Sequence, residues 1–382
     1  MFIYFLPFII ALIYYFSTQK NNYHSDKLLA FYFLYLALFV GFGDMIGGYD
    51  RYIYGEVFDY ISDVVQGKGG KLSDTFYLIG GNEYGYFLWE VFIGLFTRNR
   101  YVFILITTIL MYSLYFFAFR QYIKNYPLAC IIFLGLFYYF TMTYLRQVIA
   151  VGIAWQSVRY IWERKPKQFF AIMLLAYSFH NSVMIFMPMY FLPIKKYNIN
   201  SVVLIMFICL LIGLTPLPGL LMSGVGEATG MERRTNSYAN NEMAGFRFEY
   251  LLEAIVFCSI FFANYRFIPK TKKTLTFLNM SFVFCAVLLV FIRFGQGGRF
   301  GWYYFFGLIY MLSMLADNHF RIPWMKYFVI ILCFSLFTRV SFAWSELLLP
   351  YKTFLTDGIP SSPIMYELNE YDVNYTLDKF YR

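Results

Sequence analysis

Residues 201–221 read SVVLIMFICLLIGLTPLPGLL, an apolar run without a single charge. A helix needs about 20 such residues to cross the hydrocarbon core of a bilayer. In lipid the backbone must satisfy its own hydrogen bonds, which a helix does and an open strand does not. The stretch therefore predicts a transmembrane helix. Working outward, comparable runs recur at 2–16, 28–43, 101–119, 128–142, 147–162, 168–179, 181–192, 250–264, 275–292, 301–316 and 324–345. The fold class is an all-α polytopic integral membrane protein with about 11–12 transmembrane helices. The alternating strands of a membrane barrel are not seen in the pattern. Composition agrees, since only 14% of residues are charged and 60% are apolar, whereas soluble domains carry roughly 25% charge.

Orientation follows from the loops. With the amino terminus outside, the inner loops are 17–27, 120–127, 159–167, 193–200, 264–274 and 317–326. They carry 16 of the 31 Lys and Arg but only Asp26, Glu163 and Asp317 among the carboxylates. Basic residues concentrate on the cytoplasmic side of membrane proteins, so the net charge of +9 calls for no nucleic acid partner. Residues 1–345 read as one transmembrane domain with long outer loops at 44–100 and 223–249, followed by an extracytoplasmic tail, 346–382. Phe2 to Phe16 lacks a basic leader and a small-residue cleavage site, so it reads as a retained first helix. Residues 85–96 are too short to span and suit an interfacial helix on the outer face. The run 169–192 is divided at His180-Asn181-Ser182, because a single pass would carry Lys195, Lys196 and every later basic loop outside. The five cysteines show no C-x-x-C spacing and read as small core residues, and no metal-ligand cluster stands out.

Polar residues at membrane depth are expensive and usually mark a substrate path. Five stand out on the outer side: Asp50, Glu83, Arg146, His180 and Arg299. Asp50 follows Gly47-Gly48-Tyr49 and reads either as a general base or as the cap of the next helix. Glu83 precedes Gly85-Tyr86 and is a second carboxylate or a helix cap. Arg146-Gln147 follows a tyrosine-rich stretch and precedes the small residues Ala150, Gly152 and Ala154. Its guanidinium suits bidentate phosphate binding, against the alternative of snorkelling to lipid headgroups. His180 is a site residue or a packing histidine. Arg293-Phe294-Gly295-Gln296-Gly297-Gly298-Arg299 offers either an anion nest flanked by two arginines or a plain tight turn.

Taken in order, these elements resemble the EpsG family of bacterial membrane proteins, grouped with Wzy-type exopolysaccharide and O-antigen polymerases. The resemblance rests on Gly48-Tyr49-Asp50-Arg51-Tyr52-Ile53-Tyr54, then Glu83 with Gly85-Tyr86, then Arg146-Gln147-Val148-Ile149-Ala150, then Phe179-His180-Asn181-Ser182. It covers roughly residues 1–195 in order and spacing. One departure concerns the end of the second helix, where the family often carries Arg. This chain has Val40-Gly41-Phe42-Gly43-Asp44 there, and its nearest charge of that sign is Arg51.

The resemblance implies a glycosyltransferase that polymerises oligosaccharide repeat units carried on undecaprenyl pyrophosphate. It implies work on the extracytoplasmic face of the bacterial cytoplasmic (inner) membrane, in a GT-C-like arrangement, and without a cofactor. It implies catalytic roles for Asp50, Glu83, Arg146 and His180, with Asp50 the first choice and Glu83 the second as base for the acceptor hydroxyl, and substrate contacts for Arg51, Tyr52, Gln147, Arg293 and Arg299. Membrane lipid and a polysaccharide chain-length regulator are the further partners it suggests. A polyprenyl-phosphate-dependent glycosyltransferase, an O-antigen ligase and a lipid-linked oligosaccharide transporter are the alternatives.

Overall fold

A computed structural model describes residues 2–18, 23–43, 49–78, 83–221, 245–317, 324–349, 351 and 353–355. The expectations placed on Gly47-Gly48, on most of the 223–249 loop and on the tail beyond 355 lie outside them, as does the side chain of Tyr52.

The described residues are helical, with no named strand and one isolated bridge between Gly43 and Thr353. Polar residues set where helices start: Ser25 caps α2 (Asp26–Gly41), Asn99 caps α6 (Arg100–Tyr122), and Asn125 caps α7 (Tyr126–Leu136). Each side-chain oxygen accepts an amide that would otherwise have no partner in the first turn. Within helices, hydroxyls bond back to the preceding turn, as Thr108 does to the Ile104 carbonyl (2.7 Å) and Ser341 to Phe337 (2.8 Å). That satisfies a polar group with no water at hand.

The chain forms two compact units. The first comprises residues 1–158, 167–184 and 312–382. In it α2 lies along α6, and α7 packs against both α1 (Phe2–Thr18) and the late helix α16 (Met325–Ala343). Gly135 of α7 makes the last contact close: a Cβ there would stand 2.8 Å from the Cα of Cys333. The long first loop is itself helical, as α3 (Tyr49–Val65), α4 (Leu72–Leu78) and α5 (Tyr84–Gly94). Both α4 and α5 pack on α3, which also contacts α6. A buried ion pair fastens that corner, with Arg100 of α6 donating through Nε to Asp59 of α3 at 2.9 Å. After the last helices the chain returns: Tyr351 stacks on Phe39 (4.8 Å) and donates to its carbonyl, and Phe354 stacks on Tyr101 (5.4 Å).

The second unit comprises 159–166 and 185–311. Its centre is α13 (Lys272–Val290), flanked by α11 (Ile199–Leu214) and α12 (Phe248–Ala263). Gly213 and Gly307 stand against backbone of α13, at Leu289 and Phe277. Val203, Leu204, Phe207, Ile208 and Leu211 of α11 are all exposed, an apolar outer face suited to lipid and not to water.

Among the described residues, α6, α13 and α16 are long and apolar enough to span a membrane. Helices α1, α7 and α11 are apolar but shorter. Runs that read as single spans are broken: 128–142 is α7 plus a 3₁₀ turn at Tyr138–Met142, and 147–162 divides at Ser157 into α8 (Leu145–Gln156) and α9 (Val158–Trp162). At the expected division, α10 (Pro166–Phe179) stops at His180 and a 3₁₀ segment, Asn181–Tyr190, follows.

Candidate active site

Three helix ends of the first unit meet at one carboxylate. Glu83 is the N-cap residue of α5, yet its side chain makes no capping bond. The carboxylate turns instead to Arg146 at the start of α8, whose Nη1 donates to Glu83 Oε2 at 2.5 Å. Glu83 is 1% exposed and the Arg146 side chain 16%, so the pair is buried with the arginine nearer its opening. The guanidinium also lies over the rings of Tyr54 (5.2 Å) and Tyr86 (5.9 Å). Desolvated cation–π contacts of this kind hold a guanidinium in place.

The third member is His180, just beyond α10. The Ser182 N–H donates to its Nδ1 at 3.2 Å, and the Ser182 hydroxyl lies 2.7 Å from the same atom. An atom that accepts an amide carries no proton, so the neutral ring holds its proton on Nε2. Nε2 faces Glu83 Oε1 at 4.0 Å. Gly85 makes this meeting sterically open. A Cβ at Gly85 would run into the Ser178 hydroxyl and stand 3.0 Å from the Phe179 ring, so any larger residue would push α5 away from the end of α10.

The remaining expected residues are placed differently. Gln147 is buried beside Arg146 on α8. Asp50 is half-buried in the first turn of α3 and makes no ion pair or hydrogen bond among the described residues. Arg51 is fully buried, and its guanidinium donates to the carbonyls of Met142 (3.1 Å), Val40 (2.8 Å) and Gly43 (3.0 Å). It thus brings a positive charge to the end of α2, where the family often has its own arginine. Tyr52 lies on α3. Arg293 and Arg299 belong to the second unit, where Arg293 donates to the Leu214 carbonyl (3.2 Å) and Arg299 lies over Trp302 (5.6 Å). The glycine turn between them is not an open nest. The N–H groups of Gly297, Gly298 and Arg299 are taken by the Phe294 carbonyl, the Tyr250 hydroxyl and the Gln296 carbonyl.

Sequence reasoning gave no site role to Tyr54, Tyr86 and Glu90. For Tyr86 and Glu90 the signal was periodicity: 83, 86 and 90 fall on one face of a helix.

The sequence model of the EpsG family matches residues 26–353. The chain belongs to the EpsG family. EpsG proteins form a Wzy-like polymerase family, and this member is an integral membrane protein associated with exopolysaccharide polymerisation. No curated protein and no solved structure matches the chain. The EpsG match reaches well past residue 195, so it takes in the second unit's helices as well as the four short motifs.

Proposed function

We propose that this protein joins oligosaccharide repeat units carried on a lipid diphosphate, at the extracytoplasmic face of the bacterial cytoplasmic membrane. The observation that carries the reading is the buried Glu83–Arg146 pair with His180 Nε2 directed at the same carboxylate. Glycosyl transfer from a lipid diphosphate needs a cation for the departing anion and a base for the incoming hydroxyl. Arg146 is the cation and Glu83 the base. When the donor's diphosphate takes hold of Arg146, Glu83 loses its counter-charge and is free to accept a proton. The acceptor hydroxyl then attacks the anomeric carbon, and the bond from that carbon to the diphosphate oxygen breaks. The electron pair leaves with the lipid diphosphate and the hydroxyl proton passes to Glu83. His180 donates from Nε2 to the diphosphate and keeps it in line. Glu83 is preferred over Asp50 as base because Glu83 already stands beside the cation.

Membrane vesicles containing the protein, supplied with a lipid-diphosphate repeat unit, test the reading. A ladder of products that fails with Glu83→Gln and with Arg146→Ala, at equal expression, is expected. Transfer of a single unit to an unrelated acceptor would assign a ligase or a single-sugar transferase. Movement of intact repeat units across the vesicle without elongation would assign a transporter.

A further inference from the structure

Helix α5 carries a second carboxylate that the scheme above does not use. Glu90 lies two turns beyond Glu83 on the same face, is fully buried, and offers two oxygens with no hydrogen-bond partner among the described residues. Between the two glutamates lies Tyr86, 1% exposed, whose hydroxyl is likewise without a partner among the described residues. The Tyr86 ring lies against Arg146. An ionised carboxylate in that position is costly to desolvate and relieves the cost by taking up a proton. Burial pushes the Glu90 carboxyl well above the usual carboxylate range; the Arg146 charge pulls it down and the Glu83 charge pushes it further up. Of the other ionisable groups on the surrounding elements, on α3 Asp59 is tied to Arg100 of α6, Asp63 to Lys68 and Arg98, Tyr54 to Arg146 and Arg51 to three carbonyls; His180 faces Glu83, Glu56 of α3 is exposed, and Asp50 of α3 is half-buried.

We propose that Glu90 is a positioning residue of this site: it stands as an uncharged acid behind Arg146, so that the guanidinium has one buried counter-ion and can exchange it for the anion of a substrate. The inference rests on the polymerase reading for its consequence, but not for the charge state itself. With Glu83 and Arg146 paired, a neutral Glu90 leaves the carboxylate–guanidinium pair at zero net charge. An ionised Glu90 would leave it negative and repel a diphosphate. The arrangement is that of two carboxyl groups whose surroundings drive their protonation apart.

Glu90→Gln mimics the protonated acid, and Glu90→Met, which also cannot ionise, serves if the amide fails to fold. Infrared spectra of the purified protein near neutral pH, wild type against either variant, read the carbonyl stretch of a protonated acid. The band is expected in the wild type and absent from the variant; no difference between them overturns the proposal, whatever the protein's reaction proves to be. In the vesicle assay the variant is expected to elongate within about threefold of wild type at neutral pH. Wild type is expected to lose turnover, through a rising KM for the lipid-linked substrate, as pH climbs, while the variant loses less. A tenfold loss at neutral pH would show that a negative Glu90 is required, and an unchanged pH profile would show that its charge is irrelevant. Either overturns the proposal. If wild-type vesicles elongate nothing, the polymerase reading falls while the infrared result still decides the charge state.

Discussion

Single side chains carry the sharpest expectations. Arg146→Lys keeps the charge but loses the planar guanidinium that donates to Glu83 and lies over two tyrosines. Loss of one well-placed donor to a developing anion costs about 10²–10³ in turnover, and that drop in elongation rate at unchanged protein level is the expected outcome. Arg51 invites the opposite result. It holds the ends of α2 and of the 3₁₀ turn through three carbonyls, so Arg51→Lys should lower the melting midpoint of detergent-solubilised protein. Hydrogen bonds to a charged group contribute about 1.5–3 kcal/mol each, and at least one is lost. Glu90 adds a stability trend with a definite sign. Its carboxyl stays protonated in the folded protein at a pH where the unfolded chain has released the proton. Folded stability therefore falls as pH rises from the usual carboxylate range towards the folded value. Denaturation of wild type and Glu90→Gln, followed from the usual carboxylate range upward, should show a steeper loss in the wild type. At this scale the chain was partly legible. Glu83, Arg146 and His180 could be picked out as polar residues in apolar surroundings. Glu90 hid among the aromatic residues of a short helix: its spacing from Glu83 put it on the same face, but whether that face is buried is a property of packing.

At the scale of elements, small residues decide what meets what. Gly85 lets the start of α5 rest against Ser178 and Phe179. Gly85→Val should separate Glu83 from His180 and abolish elongation while leaving the membrane-inserted protein intact by protease resistance. Gly135 faces backbone of α16, so Gly135→Val strains a helix pair and should cost about 1–3 kcal/mol, measured as a lower melting midpoint without a specific loss of substrate affinity. The sequence showed the apolar runs but not their interruptions. The chain turns more polar beyond Phe137 (YYFTMT) and beyond Ser157 (VRYIWER), but each change sits inside a run apolar enough to read as one span, so the break was not separable from a helix end. The break at His180 was legible for a different reason: a single unbroken pass would carry the basic residues downstream to the outer side.

For the whole molecule, the bias of Lys and Arg towards alternate loops gives an orientation that chemistry can check. A cysteine at Ser73, on the exposed start of α4, should react with an impermeant maleimide added to intact cells. One at Lys270, between α12 and α13, should react only after the membrane is opened, and reversal of the two would invert the topology. Native thiols do not interfere seriously, since four of the five are buried.

The first unit is also discontinuous along the chain: α7 near its middle is sandwiched by α1 and by α16, and Tyr4 of α1 donates to the Leu348 carbonyl beyond α16. A ribosome therefore delivers most of this unit, including Glu83, Arg146 and His180, long before the helix that closes it. Until α16 enters the bilayer, Gly135 and its neighbours on α7 stand open to lipid or to insertion chaperones. Quality-control proteases of the membrane thus have a long interval in which to inspect the half-built protein, and a chain that stops short of residue 325 should be cleared instead of accumulating as a folded fragment.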